Sequence, residues 1–305
     1  MTQALFGVDL GGTKIEAVVM TPSGQELVRE RVATPVGDYD ATIRAMADLL
    51  RAVAGASGLA TRRVWIGIPG SISPSNGLVR NGNSTWLNGR DLALDCRDAL
   101  GVPVRLSNDA NCLALSEARD GAGQGAASVL AVVLGTGVGS GVVVNGQIVE
   151  GANRIGGEIG HIPLPGEIDG RKCFCGRTGC VETFLSGPGL LADFRAHGGR
   201  EATSAKEVSA RADADPIAKA AIRRHRARLA RMLGLVMNIL DPDAIILGGG
   251  VSLLPGLAEE LPGLIRPLVF APPGETVHIR VARAAHGDSS GVRGAARLWD
   301  DQNDG

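Results

Sequence analysis

The sequence predicts an α/β protein of two similar halves flanking a cleft, and three observations carry that reading. Apolar strands alternate with helical patterns along the chain, which implies sheets covered by helices. The opening succession of strand, glycine turn, strand, turn and strand (LFGVDL, GGT, IEAVVM, TPSGQ, ELVRERVA) recurs from Ser128 as SVLAVVLG, TGVGS and GVVVNGQIV. Aligning Gly12-Thr13 with Gly135-Thr136 brings the two successions into step. At 305 residues the chain is long for one core and comfortable for two. The pattern puts a boundary near 115–125. It implies a small N-terminal domain over 1–118, joined by the terminal helix 289–305, and a larger domain over 119–288.

Between the repeats a helix covers about 40–54, with Ile43, Met46, Ala47, Leu50 and Val53 at helical spacing. VWIGIPG is a strand ending on Pro69-Gly70, and a second helix occupies about 90–100. VPVRLS leads into Asn108-Asp109, and the helix ANCLALSEARDG follows at once. In the second half the longest helix covers about 215–240 and stops at Asp241-Pro242. DAIILGGG is a strand with a glycine turn, followed by a helix, the strand VHIRVARA and the terminal helix GVRGAARLW. Residues 121–149 carry no charge, a run long enough to span a bilayer. LGTGVGSG and Asn145-Gly146 interrupt it, so it reads as buried strands rather than a membrane helix.

Lys plus Arg (31) nearly balances Asp plus Glu (32), which argues against nucleic acid or an anionic membrane as a partner. The start, MTQALFGVDLGG, has no basic region followed by a long apolar run, so no signal peptide is visible and a cytoplasmic location is expected. The 44 glycines collect at strand ends, as ligand-approach loops require.

Three of the five cysteines crowd into eight residues of GGEIGHIPLPGEIDGRKCFCGRTGCVE. His161, Cys173, Cys175 and Cys180 supply the imidazole and thiolates that a four-coordinate structural zinc takes. A disulfide with one spare thiol and simple packing are the other readings, and a reducing compartment disfavours the first. Cys96 and Cys112 lie in helical patterns and read as packing residues.

Glycine turns follow buried strands at 9–14 (DLGGTK), 134–141 (LGTGVGSG) and 248–250 (GGG). Backbone amides exposed at such turns make anion-binding concavities. The P-loop pattern is absent, and a strand rather than a helix follows the first two turns, which excludes a dinucleotide fingerprint. Asp9 reads either as a turn cap or as a carboxylate for hydrated magnesium beside phosphates. The GGG turn would let a flat ring lie on the backbone, or simply let helix and strand pack closely.

With these motifs the chain resembles the ROK family of bacterial sugar kinases and related repressors, of the actin/hexokinase/Hsp70-like (ribonuclease H-like) fold. The likeness runs from DLGGTK through GIPG, NDAN, LGTGVG, GEIGH and CFCGRTGCVE to ILGGG. PGSISPSNGLVRNGNSTWLNG and HGDSSGVRGAARLW look most like the fructokinase/mannokinase members, with N-acetylglucosamine kinases as near neighbours. The resemblance implies an ATP-dependent hexose kinase, with fructose the leading substrate and the 6-phosphate the product. It implies Asp109 as general base, and Asn83, Asn108, Asp109, Glu158, His161 and Glu182 as sugar contacts. Asp9, Gly11, Gly12, Thr13 and Lys14, with Gly135, Thr136 and Gly137, match the nucleotide-phosphate loops, and Gly248 and Gly249 are expected at the nucleotide as well. His161 is then also the fourth ligand of a structural Zn2+, Mg2+ accompanies ATP, and a homodimer is expected. An aspartate between strand and helix is also a common N-cap, so residue type alone leaves Asp109 with two roles. A repressor would carry a DNA-reading module ahead of the first strand, which here begins at residue 5.

Overall fold

The first glycine turn closes a hairpin. β1 (Leu5–Leu10) and β2 (Lys14–Met20) pair antiparallel, and the Gly11 amide donates to the Lys14 carbonyl at 2.9 Å. The structure, a computed structural model, describes residues 4–168 and 170–298. β3 (Glu26–Ala33) continues the meander beside β2. The first helix, α1 (Tyr39–Ser57), is capped by Asp38, whose carboxylate accepts from the Ala41 amide at 2.9 Å, and ends at Gly58 in the left-handed region. It buries Met46, Leu50 and Val53, the stripe its periodicity predicts.

β4 (Val64–Ile68) then lies parallel to β1, followed by a short hairpin of β5 (Ser71–Ile72) and β6 (Val79–Arg80). α2 (Leu92–Leu100) leads to β7 (Val104–Asn108), parallel to β4, and α3 (Asp109–Asp120) leaves β7 without a loop. The second half repeats this plan. β8 (Ser128–Leu134), β9 (Val138–Val144) and β10 (Gln147–Ile148) form an antiparallel meander. After α4 (Glu182–Leu185), α5 (Gly187–Ala196), α6 (Ala205–Arg211) and α7 (Pro216–Leu240), β11 (Ala244–Gly248) lies parallel to β8. α8 (Leu257–Ile265), β12 (Val281–Arg283) parallel to β11, and α9 (Ser290–Arg297) complete the described chain.

The sheets run β3-β2-β1-β4-β7 and β10-β9-β8-β11-β12, so each is a three-stranded meander joined by two parallel strands. The uncharged run 121–149 supplies β8, β9 and β10. Among the described residues no helix is long and apolar enough to cross a membrane. Two expectations shrink. The strand expected in VHIRVARA keeps only three residues, an edge strand paired, among the described residues, with β11 alone. The GGG turn opens a 3-10 turn, Gly250–Leu253, and α8 starts only at Leu257.

Each sheet has its own apolar core, one built around Phe6, Ile66 and Leu92, the other around Leu130, Phe184 and Leu233. A third cluster joins them. It combines Trp65 of β4, Cys112 and Leu115 of α3, Ala131 of β8, Ile246 of β11 and Ala295 of α9. Cys96 and Cys112 are both buried in packing, as their helical settings predict. Glu117 of α3 has no exposed surface, and it accepts from the Ala285 and His286 amides (2.9 and 3.1 Å) and from Ser290 Oγ (2.8 Å). That carboxylate fixes the approach of α9 to α3.

The two helices touch at Gly294, where a Cβ would stand 1.7 Å from the Cys112 carbonyl oxygen. Backbone cannot yield there as a flexible side chain would. Gly294→Ala is therefore expected to cost about 3 kcal/mol or more, read as a lower midpoint in urea unfolding. An unchanged midpoint would mean the helices separate freely.

Candidate functional site

Asp109 stands at the first turn of α3, at the floor of a cleft between the two sheets. Asn108 caps the helix: its Oδ1 accepts from the Ala110 amide (2.9 Å) and the Asn111 amide (3.3 Å). Its Nδ2 donates to the Gly70 carbonyl at 2.9 Å, which ties the helix start to the loop after β4. The capping role that sequence left open for Asp109 thus falls mainly to its neighbour. Asp109 Oδ1 accepts only the Ala110 amide, at 2.8 Å, and the carboxylate is open to the cleft.

Protein crowds this carboxylate from most sides even though solvent reaches it. Desolvation pushes its pKa up to about 6, the Ala110 amide opposing and Glu158 adding repulsion. Deeper in, Asp9 is pushed up to about 7 by burial first, then by Asp109 and Glu16, with Lys14 pulling the other way. Burial also raises Glu158, where His161 opposes the shift and Glu182 adds to it. Three acids with raised pKa values in one region are a reservoir for proton transfer and for a cation.

Asn83, Asn108, Glu158, His161 and Glu182 line the same cleft as Asp109. The β8–β9 turn, Gly135, Thr136 and Gly137, lines its other side. Glu182 joins two parts of the site. Its Oε2 accepts the Val138 amide at 3.0 Å, while Oε1 lies 4.0 Å from Cys173 Sγ. A Cβ on Gly137 would sit 2.4 Å from Glu182 Oε2, so only glycine lets this carboxylate hold the turn.

The first glycine turn is placed differently. Gly11, Gly12, Thr13 and Lys14 close the β1–β2 hairpin and are not among the cleft walls around Asp109; of these, Lys14 couples electrostatically to Asp9. Lys14 is already engaged, 3.5 Å from the buried Glu16 and 3.8 Å from Asp288. Gly248 ends β11, packed at Leu113, which supports the close-packing reading, while Gly249 is exposed.

The ligand atoms of His161, Cys173, Cys175 and Cys180 all lie within 4.8 Å of one another. Cys175 and Cys180 sulfurs are 3.7 Å apart, and Cys173 Sγ is 3.6 Å from His161 Nδ1. A tetrahedral zinc with Zn–S near 2.3 Å and Zn–N near 2.05 Å has edges of about 3.8 and 3.6 Å. The spacing fits that ion and is far from the ~2.05 Å of a disulfide. For magnesium, Asp9 Oδ1 is buried without a hydrogen-bond partner, an atom suited to a cation that keeps its waters and binds phosphate.

The loop carrying this cluster is anchored from outside. Glu167 accepts from Arg228 (3.0 Å at both nitrogens) and from Arg231 of α7. Arg171 donates to the carbonyls of Thr183 (2.8 Å) and Gly189 (3.1 Å). Asp193, 1 % exposed, binds Arg224 and Arg228; burial alone would raise its carboxyl, but these guanidinium groups hold it below the usual range.

Sequence reasoning passed over Asn81 and Phe174, both of which line the cleft. Asn81 has a left-handed backbone (φ 61°), which asparagine tolerates better than most residues, and the NGN triplet was its only signal.

Residues 5–302 match the ROK family, and the chain belongs to it. The N-acetyl-D-glucosamine kinase of Escherichia coli O127:H6 is 39% identical over 309 residues, covering 96% of this chain and 98% of the relative. Among solved structures, the ROK hexokinase of Thermus thermophilus superposes with a TM-score of 0.84 at 31% identity, over 96% of this chain and 97% of that one. A ROK glucokinase from Streptomyces griseus, in complex with glucose and AMPPNP, gives a TM-score of 0.82 at 29% identity, over 97% and 99%.

Proposed function

We propose that this protein transfers the terminal phosphoryl group of ATP to the 6-hydroxyl of fructose, accepting mannose and glucose as well. The coarser statement stands on the family: the chain is an ATP-dependent sugar kinase. The observation that carries the reading is Asp109, a carboxylate with a pKa near 6 facing a cleft walled by Asn83, Asn108, Glu158, His161 and Glu182. A base of that strength is ionised at neutral pH, and it takes the hydroxyl proton as the sugar oxygen attacks the γ-phosphorus. The amides of the 135–137 turn hold the phosphates, with Asp9, Gly11, Gly12, Thr13 and Lys14 on the other hairpin and Gly248 and Gly249 toward the nucleotide base. Mg2+ held at Asp9 supplies charge neutralisation at the phosphates. Zn2+ on His161, Cys173, Cys175 and Cys180 is structural and orients the imidazole toward the sugar.

Fructose is preferred because the segments that resemble fructokinase members, 69–89, contribute Pro69, Gly70, Asn81 and Asn83 to the cleft. The second reading, N-acetylglucosamine, is favoured by the 39% identity to the E. coli relative over 96% of this chain. The working unit is a cytoplasmic homodimer of two-domain subunits, 1–118 with α9 against 119–288. ADP release measured with fructose, mannose, glucose and N-acetylglucosamine tests the assignment, with NMR of the product for regiochemistry. Turnover fastest on fructose is expected; turnover on N-acetylglucosamine alone transfers the assignment to the second reading.

A further inference from the structure

Phe174 sits between two members of the cysteine cluster and faces the cleft. Of the chain's five phenylalanines, Phe6, Phe184 and Phe194 are buried to 2 % exposure or less, and Phe270, also exposed, is not among the cleft residues. Phe174 is 65 % exposed, although water exposure of an aromatic ring is unfavourable and the chain is poor in aromatics. The hairpin that carries it is closely tied. The Cys173 amide donates to the Arg177 carbonyl (2.9 Å), and the Gly176 amide to the Cys173 carbonyl (3.1 Å), closing a tight hairpin. Lys172 and Thr178 bridge its base. Arg177 fastens the tip to the His161 carbonyl at 3.1 Å. The ring meets the His161 imidazole edge-on, with centroids 5.2 Å apart and planes at 81°.

We infer that Phe174 is a sugar-contacting residue, a fixed apolar platform against which a C–H face of the hexose lies. The remaining walls supply carboxylates, amides and an imidazole, which suit hydroxyls at the rim of a sugar ring. Those groups do not match the C–H surface of the ring; Pro69, Ala110, Val133 and Val138 add small apolar patches, and Phe174 gives the lining its broad aromatic face. A rigid aromatic with two side-chain torsions gives contact area at small entropic cost. Because both neighbouring residues belong to the cysteine cluster, the platform is positioned by the same hairpin that orients His161. A ring seated against a bound sugar also keeps water from that face of the cleft during phosphoryl transfer. The inference rests on the sugar-kinase reading of the cleft, without depending on which hexose is preferred.

The test uses the full chain with Phe174→Ala, Phe174→Leu and Phe174→Tyr. Sugar Kd is measured by calorimetry without nucleotide, alongside zinc content and Tm. The sugar used is whichever member of the four-hexose panel the wild type binds best. Phe174→Ala and Phe174→Leu are expected to weaken sugar binding about tenfold, and Phe174→Tyr by about twofold or less. Zinc content, Tm and the KM for ATP should stay at wild-type values. An unchanged Kd in Phe174→Ala overturns the inference. So does weakened binding that coincides with zinc loss, since Phe174 would then be a prop for His161. Wild-type-like binding by Phe174→Leu would show that bulk rather than an aromatic face is needed, and overturns it too. If the wild type binds no hexose at all, the sugar-kinase reading fails first, a result distinct from any of these.

Discussion

Asp109→Asn is expected to lower kcat by about 10²–10⁴-fold with little change in the KM for sugar. The amide retains the shape and the contact with the Ala110 amide but cannot accept a proton. The wild-type rate should rise with pH through about 6 and flatten above it, because only the ionised carboxylate acts as base. Stability moves the opposite way. The folded pKa near 6 exceeds the ordinary 3.8, so the stability Asp109 contributes is complete below pH 3.8 and is lost as pH rises through 6. Asp109→Asn should therefore have an unchanged or higher Tm at pH 7, which separates lost chemistry from lost folding. A variant retaining a tenth or more of wild-type kcat would remove Asp109 from the role of base.

Cys175→Ala is expected to release zinc and raise the KM for sugar by about 10–100-fold, with a lower Tm. The coupling is visible in the contacts. The cluster brings Cys173 to 3.6 Å from His161 Nδ1 and 4.0 Å from Glu182, and Glu182 in turn holds the amide that follows the 135–137 turn. Loosening the hairpin thus disturbs two sugar-facing side chains and a phosphate-facing turn together. Metal content by mass spectrometry, sugar KM and Tm are measured on the same preparation. Zinc-free protein with a wild-type KM would sever the metal from substrate binding.

Local chemistry made much of this molecule readable in its sequence. Glycine turns between apolar runs marked both hairpins, and the repeated order of elements announced two sheets of like plan. The helix read from about 215 starts after its cap Asp215, while the cap Asp38 lies two residues before the start that periodicity gave for α1. Long-range contacts were harder to read. Glu16 is a strand residue whose burial is tolerated because Arg29 and Arg31, on the adjacent strand, reach it at 2.9 Å each. Glu117 and Asp193 are buried carboxylates whose partners lie up to 173 residues away, and no spacing rule signals such pairs. In the site, residue types with obvious chemistry were found, while Asn81 and Phe174 were missed. Their roles come from backbone conformation and from which way a hairpin faces, which a string of letters does not encode. Lys14 makes the same point: beside a glycine turn it reads as a phosphate ligand, and no spacing rule signals its ion pair with the buried Glu16.

The place of α9 has a consequence for biosynthesis. Among the described residues, Leu5, Val18 and Met20 cluster with Val292 and Ala296 of α9, so the opening strands leave the ribosome before this cover is made. At about 5–20 residues per second, they wait roughly 15–55 s for it. Over that interval the nascent chain is sticky, and holding chaperones have time to shield it before release.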